Sequence, residues 1–135
     1  MASRIMPDNP KVMGPETKMI NFQFFPQGNS VAALPLKGDV ELVTSVIRTG
    51  NAGEFTVTLA DAYVKVLAIT LQTQLNAFTN IDPQLGPISN AGTSTPLSFI
   101  VRTHATGVGT DIAANANNAV HVSMVLRDSG ENPSA

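Results

Sequence analysis

Apolar and polar residues alternate along several segments of the chain, which is the pattern of strands with one buried face. The alternation is strictest at residues 54–59 (EFTVTL), where the Phe, Val and Leu share one face. It returns near the C-terminus at residues 97–103 (LSFIVRT) and 119–127 (AVHVSMVLR). Each of these segments is predicted to be a strand whose apolar face packs into a core.

Four further segments have β-like but less regular patterns. Residues 19–25 (MINFQFF) are rich in aromatic residues and stop at a Pro-Gln-Gly-Asn turn, which predicts a first strand. Residues 40–49 have apolar residues of both parities, which indicates a strand that is bulged or buried on both faces. Residues 63–76 begin in the same way, and their β-branched residues favour strand over helix. The run 31–36 contains a proline and is expected to be an edge strand or a covered loop.

The other segments lack strand periodicity. Residues 1–16 hold three prolines and are predicted to form an extended N-terminal arm, with a reach of up to about 50 Å. Residues 77–96 hold three more and are expected to be an irregular segment. Residues 105–118 are expected to be a loop in which Asp111 caps a single helical turn.

These elements together predict an all-β protein. Six to eight strands without a long helix are typical of a β-sandwich or jelly-roll-like domain. We place this domain at residues 17–129, between the extended arm at 1–16 and a polar C-terminal tail at 130–135.

Composition and charge exclude several classes of protein. The chain of 135 residues fits one domain and contains no cysteine, which excludes a disulfide scaffold, a zinc ribbon and thiolate chemistry. Eight Lys and Arg against ten Asp and Glu leave no basic excess, so neither nucleic acid nor a membrane is expected as a partner. No run of 18 apolar residues and no apolar signal segment is present, and synthesis in a cytosol-like compartment is expected.

The low share of charged residues says more about function than the net charge or the absence of cysteine does. Only 13% of the residues are charged, about half of the roughly 25% typical of soluble domains. Thr, Asn and Ser contribute 33 residues, which predicts a neutral polar surface. We interpret this as a hint that the chain works as a subunit of an assembly, since free monomers usually carry more charge.

Candidate catalytic chemistry is sparse. If the last two strands pair so that Phe99 faces Leu126, His104 lies opposite His121, and Asp111 could complete a metal site. The alternative is two solvent-facing histidines. Asp39 and Glu41 are interpreted as charges that guard a sheet edge. The glycine-containing loop at 107–110 lacks the lysine of a phosphate-binding loop. The sequence therefore predicts no catalytic residue, no metal and no cofactor, and the chain is not expected to be an enzyme.

Two stretches carry a resemblance to a known class of protein. GEFTVTLADAYVKVLAITLQTQL, and FIVRTHATGVGTDIAANANNAVHVSMVLRDS near the C-terminus, resemble small virion structural proteins of tailed bacteriophages. The resemblance covers roughly residues 45–129 and is nearest to capsid decoration, or cement, proteins. It implies a β-rich dimer or trimer on the outer surface of the head, made in the host cytoplasm, with the major capsid protein as its partner.

The expected role is to stabilise contacts between adjacent major capsid subunits through the arm and through two strands. The residues predicted to bind the partner are Ile5, Met6, Pro7, Pro10, Val12, Met13, Val43, Ile47 and Leu67. Three alternatives remain open: a tail, neck or fibre-base subunit of the virion, a module that binds glycans or small ligands through its loops, and an enzyme built on the two histidines.

Overall fold

Two antiparallel β-sheets make up the computed structural model, which describes residues 17–127. The predicted arm at 1–16 and the tail at 130–135 lie outside the described residues. The strands are β1 (Thr17–Phe24), β2 (Leu36–Gly38), β3 (Val43–Arg48), β4 (Glu54–Leu59), β5 (Lys65–Gln74), β6 (Asp82–Ser89), β7 (Ser98–Ala105), β8 (Val108–Gly109) and β9 (Ala119–Arg127). A single 3₁₀ turn at Val40–Leu42 precedes β3.

The two sheets form a sandwich-like arrangement, which confirms the predicted all-β class. In the first sheet the strand order is β2-β1-β9-β5, and in the second it is β3-β4-β7-β6, with β8 also paired to β7. The edge strands β5 and β6 are consecutive in the chain and contact each other, so they lie on the same side of the sandwich.

The interior faces of both sheets carry the core. In β4, Phe55, Val57 and Leu59 are fully buried, as their alternation predicts. The ring of Phe55 lies 5.2 Å from that of Phe24 in the opposite sheet, measured between centroids. Each fully buried side chain of this kind contributes about 1.5–3 kcal/mol. The other buried apolar residues of the core are Ile20, Phe22, Leu34, Val43, Val46, Tyr63, Leu97, Phe99, Val101, Val120, Val122, Met124 and Leu126.

The segment 40–49 forms a strand that is bulged, and it is not buried on both faces. Its first residues form the 3₁₀ turn, and the pairing of β3 with β4 shifts register between Val43 and Ser45. The bulge explains the two apolar parities, because it turns Val43 and Val46 to the same interior face. Ile47 remains on the outer face and is 39% exposed.

The prediction of irregular structure at 77–96 was wrong, because residues 82–89 form strand β6. This strand pairs with β7 despite Pro83 and Pro87, since an edge strand can leave its outer backbone positions unpaired. The pairing shifts register between Leu85 and Ile88, which removes Gly86 and Pro87 from the ladder. Glycine suits position 86, because a Cβ atom there would lie only 3.2 Å from the Cβ of Ile100, which is closer than ordinary van der Waals contact.

Gly53 occupies a position that only glycine fits well. Its φ is +69°, and an added Cβ would lie 2.6 Å from the carbonyl oxygen of Thr110 and also clash with that of Thr103. Gly107 also has a positive φ, +81°, but an added Cβ there would meet no heavy atom within 4 Å. An alanine substitution at Gly107 would therefore introduce backbone strain alone, whereas one at Gly53 would introduce strain and steric overlap.

We predict that Gly53→Ala lowers the free energy of unfolding by more than about 3 kcal/mol, because it adds overlap to the strain of a positive φ. The matched variant Gly107→Ala should cost only about 1 kcal/mol, since strain alone remains. Urea denaturation followed by circular dichroism measures both. Equal losses in the two variants would contradict the described turn.

Candidate interaction surfaces

The residues predicted to bind a partner fall into three groups in the structure. The six in the arm, Ile5, Met6, Pro7, Pro10, Val12 and Met13, lie outside the described residues. Val43 is a core residue with 5% of its surface exposed, so its side chain is not accessible to a partner. Ile47 and Leu67 are accessible, but they lie on β3 and β5 in different sheets. The structure therefore does not gather the predicted residues into one patch.

The pairing of His104 with His121 that one strand register would allow does not form, because their strands belong to different sheets. His104 in β7 lies opposite Asp82 and Gly109, whereas His121 in β9 lies opposite residues of β1 and β5. The Nε2 atom of His121 is 2.8 Å from Oε1 of Gln74. Within residues 17–127, no three His, Asp or Glu side chains are grouped so that they could hold a metal ion.

The side chain of Asp111 binds the guanidinium group of Arg48. The prediction that it caps a helical turn was wrong, because residues 111–118 form no helix. Arg48 donates from Nε to Oδ1 at 2.8 Å and from Nη2 to Oδ2 at 2.9 Å, and the amide of Gly53 donates to Oδ1 at 2.7 Å. The hydrogen bonds from Arg48, and then that from Gly53, lower the pKa of Asp111, although partial burial opposes them. Asp111 thus ties the loop after β8 to the end of β3 and to the turn before β4.

A second carboxylate, Asp39, closes part of a sheet edge. Its Oδ2 atom accepts a hydrogen bond of 2.8 Å from the amide of Asn21, and its own amide donates to the carbonyl oxygen of Asn21 at 2.9 Å. Asp39 therefore satisfies the backbone of β1 just beyond the last residue of β2. The predicted edge position of this charge agrees with these contacts.

The outer face of the first sheet is neutral and polar. Its central positions are Asn21, Gln23, Thr70, Gln72 and Ser123, which face solvent beside His121. Ser123 donates a hydrogen bond of 2.6 Å from its hydroxyl to Oδ1 of Asn21. The face forms a shallow depression of about 360 Å³, without a charged group on its floor.

Large apolar side chains are exposed elsewhere on the described surface. Ten of them are at least 38% exposed: Met19, Val31, Val40, Ile47, Val64, Leu67, Phe78, Leu85, Ile88 and Val108. Phe78 is completely exposed in the connection between β5 and β6. An apolar depression of about 480 Å³ lies between Phe25, Leu36 and Ala114.

One side of the sandwich, which we call the open edge, combines such residues with unpaired backbone. It consists of β5 and β6, the last strands of the two sheets on that side. Leu67 on β5 is 45% exposed, and Leu85 and Ile88 on β6 are each 38% exposed. Leu67 lies at a register shift between β5 and β9, which explains the two-sided pattern at the start of the segment 63–76.

Comparisons of the chain with protein-family models, with curated proteins and with solved structures give no match. The described residues also contain no helix with the length and hydropathy needed to cross a membrane.

The lowered pKa of Asp111 predicts a pH-dependent contribution to stability. The carboxylate stabilises the folded state above its ordinary pKa, and this contribution is lost as the pH falls through the lowered value. We therefore predict that Asp111→Asn lowers the Tm by several degrees at pH 7, and that the difference from the wild type shrinks as the pH approaches 2.

Thermal unfolding by circular dichroism between pH 7 and pH 2 measures this difference. The control is Asp61→Asn, which removes the same charge from an exposed turn and so reports the effect of net charge alone. A difference between Asp111→Asn and the wild type that stays constant with pH would contradict the role of the ion pair.

Proposed function

We propose that the protein is a capsid decoration (cement) protein of a tailed bacteriophage. It binds the outer surface of the head and stabilises contacts between major capsid subunits. The observation that carries this proposal is the set of ten exposed large apolar side chains on a sandwich whose surface is otherwise mainly neutral. Exposed apolar side chains are a feature of protein interaction surfaces where they lie together, as they do on the adjacent strands β5 and β6.

Two properties of the described residues support a role in binding. The central core residues are at most 6% exposed and come from both sheets, so the exposed side chains sit on a rigid support. The surface around them is rich in Thr, Asn, Ser and Gln, which can lie against another protein without the desolvation of charged groups. Ile47 illustrates this arrangement. On the outer face it lies opposite Thr56 of β4, which in turn lies opposite Ile100 of β7.

The free-energy effect of such binding follows from mass action. A protein that binds the intact shell but not the dissociated subunits shifts the equilibrium towards the shell. Each contact can be modest, because many copies on a repeating lattice act together. A small charge-poor sandwich with several apolar contact points suits this task.

The abundance of the protein in purified particles tests the proposal. A decoration protein should be present in a number of copies comparable to that of the major capsid protein, because it repeats over the whole shell. Quantitative mass spectrometry of purified virions measures this ratio. Only a few copies per particle would favour the alternative of a tail, neck or fibre-base subunit, and absence from the particle would exclude both.

A deletion tests the predicted arm. We expect a chain that begins at Thr17 to keep the far-UV circular dichroism of the sandwich but to bind decoration-free heads at least tenfold more weakly, because it lacks Ile5, Met6, Val12 and Met13. Cosedimentation with the heads measures binding. As a control, a chain that ends at Arg127 should bind as the full chain does. Unchanged binding after the N-terminal deletion would remove the arm from the interface.

A further inference from the structure

Three of the four outer sheet edges are protected against pairing with another strand. The strand β2 has only three residues, and Asp39 binds the amide and the carbonyl oxygen of Asn21, the next residue of β1 beyond it. The strand β3 is covered by the preceding segment, where the amide of Leu34 donates to the carbonyl oxygen of Val46 at 2.9 Å. The strand β6 contains Pro83 and Pro87, which have no amide hydrogen to donate. Short strands, coverage and prolines are the usual means of protecting an edge.

The fourth edge, β5, has none of these protections among the described residues. It has ten residues, and residues 66–74 contain no charge, no proline and no glycine. After the register shift at Leu67, its pairing with β9 is regular from Ala68 to Gln74. Within residues 17–127, no residue of β5 makes a backbone hydrogen bond outside its ladder with β9. One side of this strand therefore offers a row of free backbone donors and acceptors.

The apolar layer beneath this strand is also left incomplete. Ile69 and Leu71 pack against the core from β5 but are only half-buried. On β6, Leu85 and Ile88 lie opposite the buried residues Val101 and Phe99, so their register directs them towards the interior. They are nevertheless partly exposed, because no strand of the described chain lies beyond β5 and β6 to cover them. The core is thus open to the side at the open edge.

We propose that the open edge binds a second copy of the chain, with β5 of each copy paired antiparallel about a two-fold axis. The two four-stranded sheets then form one continuous sheet of eight strands. A strand that pairs with itself brings identical side chains close together, and charged residues would repel each other there. The uncharged run of β5 avoids this repulsion. The inference stands apart from the proposed function, since it concerns the protein without a capsid.

An axis at Leu71 gives a consistent register. It places Leu71 opposite itself and Ile69 opposite Thr73 of the second copy on the interior face. On the outer face, Thr70 comes opposite Gln72 of the second copy, where both side chains are polar and exposed. The prolines keep β6 out of this ladder, so its apolar residues are free to close the layer beneath the new sheet. A two-fold axis also selects the dimer over the trimer.

Charge introduced at the edge tests the proposal. In the wild type we expect a dimer, with twice the chain mass of 14.2 kDa by light scattering after gel filtration. The double variant Thr70→Lys/Gln72→Lys places four ammonium groups across the axis on the exposed outer face, and it should be monomeric with unchanged far-UV circular dichroism. The control Ser123→Lys/Ser94→Lys adds the same charge one strand inward and on an exposed loop, and it should remain a dimer.

Hydrogen exchange supplies a readout that needs no variant. In the dimer, both the amides of residues 68–74 that face β9 and those that face the second copy should be protected from exchange. The amides that face the second copy, about half of them, should lose protection on dilution to monomer. A wild-type monomer at all concentrations, a trimer, or a charged double variant that stays dimeric would each overturn the proposal. None of these outcomes affects the capsid-binding tests, because these measurements use the purified protein alone.

Discussion

The contact between the two sheets is the constraint on which the rest of the molecule depends. Phe24 and Phe55 meet across the interface at 5.2 Å, and the alternate residues of four central strands pack around them. A chain of this length buries enough apolar surface for one such layer and little more. The layer is complete at the centre, where the inward-facing apolar residues of β1, β4, β7 and β9 are buried. It is incomplete at β5 and β6, where apolar side chains remain half-exposed.

The strands with strict alternation were predictable from sequence, because a period of two residues reports one buried face. Thus β4, β7 and β9 formed where the pattern placed them, and the all-β class follows from them. The strand β6 was missed because its two prolines argue against a strand in general, and only its place at an edge makes them acceptable. That place depends on the pairing with β7, which a single sequence does not reveal.

The contacts that define the surfaces were the least predictable part. Asp111 and Arg48 are 63 residues apart, and neither lies in a motif that would link them. His104 and His121 were placed together by assuming that consecutive strands pair, whereas the chain moves from the second sheet to the first between β8 and β9. Val43 has the same parity in the sequence as the exposed Ile47, and its side chain points inward only because of the bulge in β3. The exposure of Ile47 and Leu67 likewise reflects bulges and edges, which are tertiary features.

The ion pair of Asp111 has a consequence for recognition as well as for folding. Because the carboxylate holds β3, the turn at Gly53 and the start of the segment 111–118 together, that segment keeps one shape at its base before it meets another molecule. A recognition element that is already ordered loses little conformational entropy when it docks. Any contact made by this end of the sandwich therefore loses less of its binding free energy to the ordering of the chain.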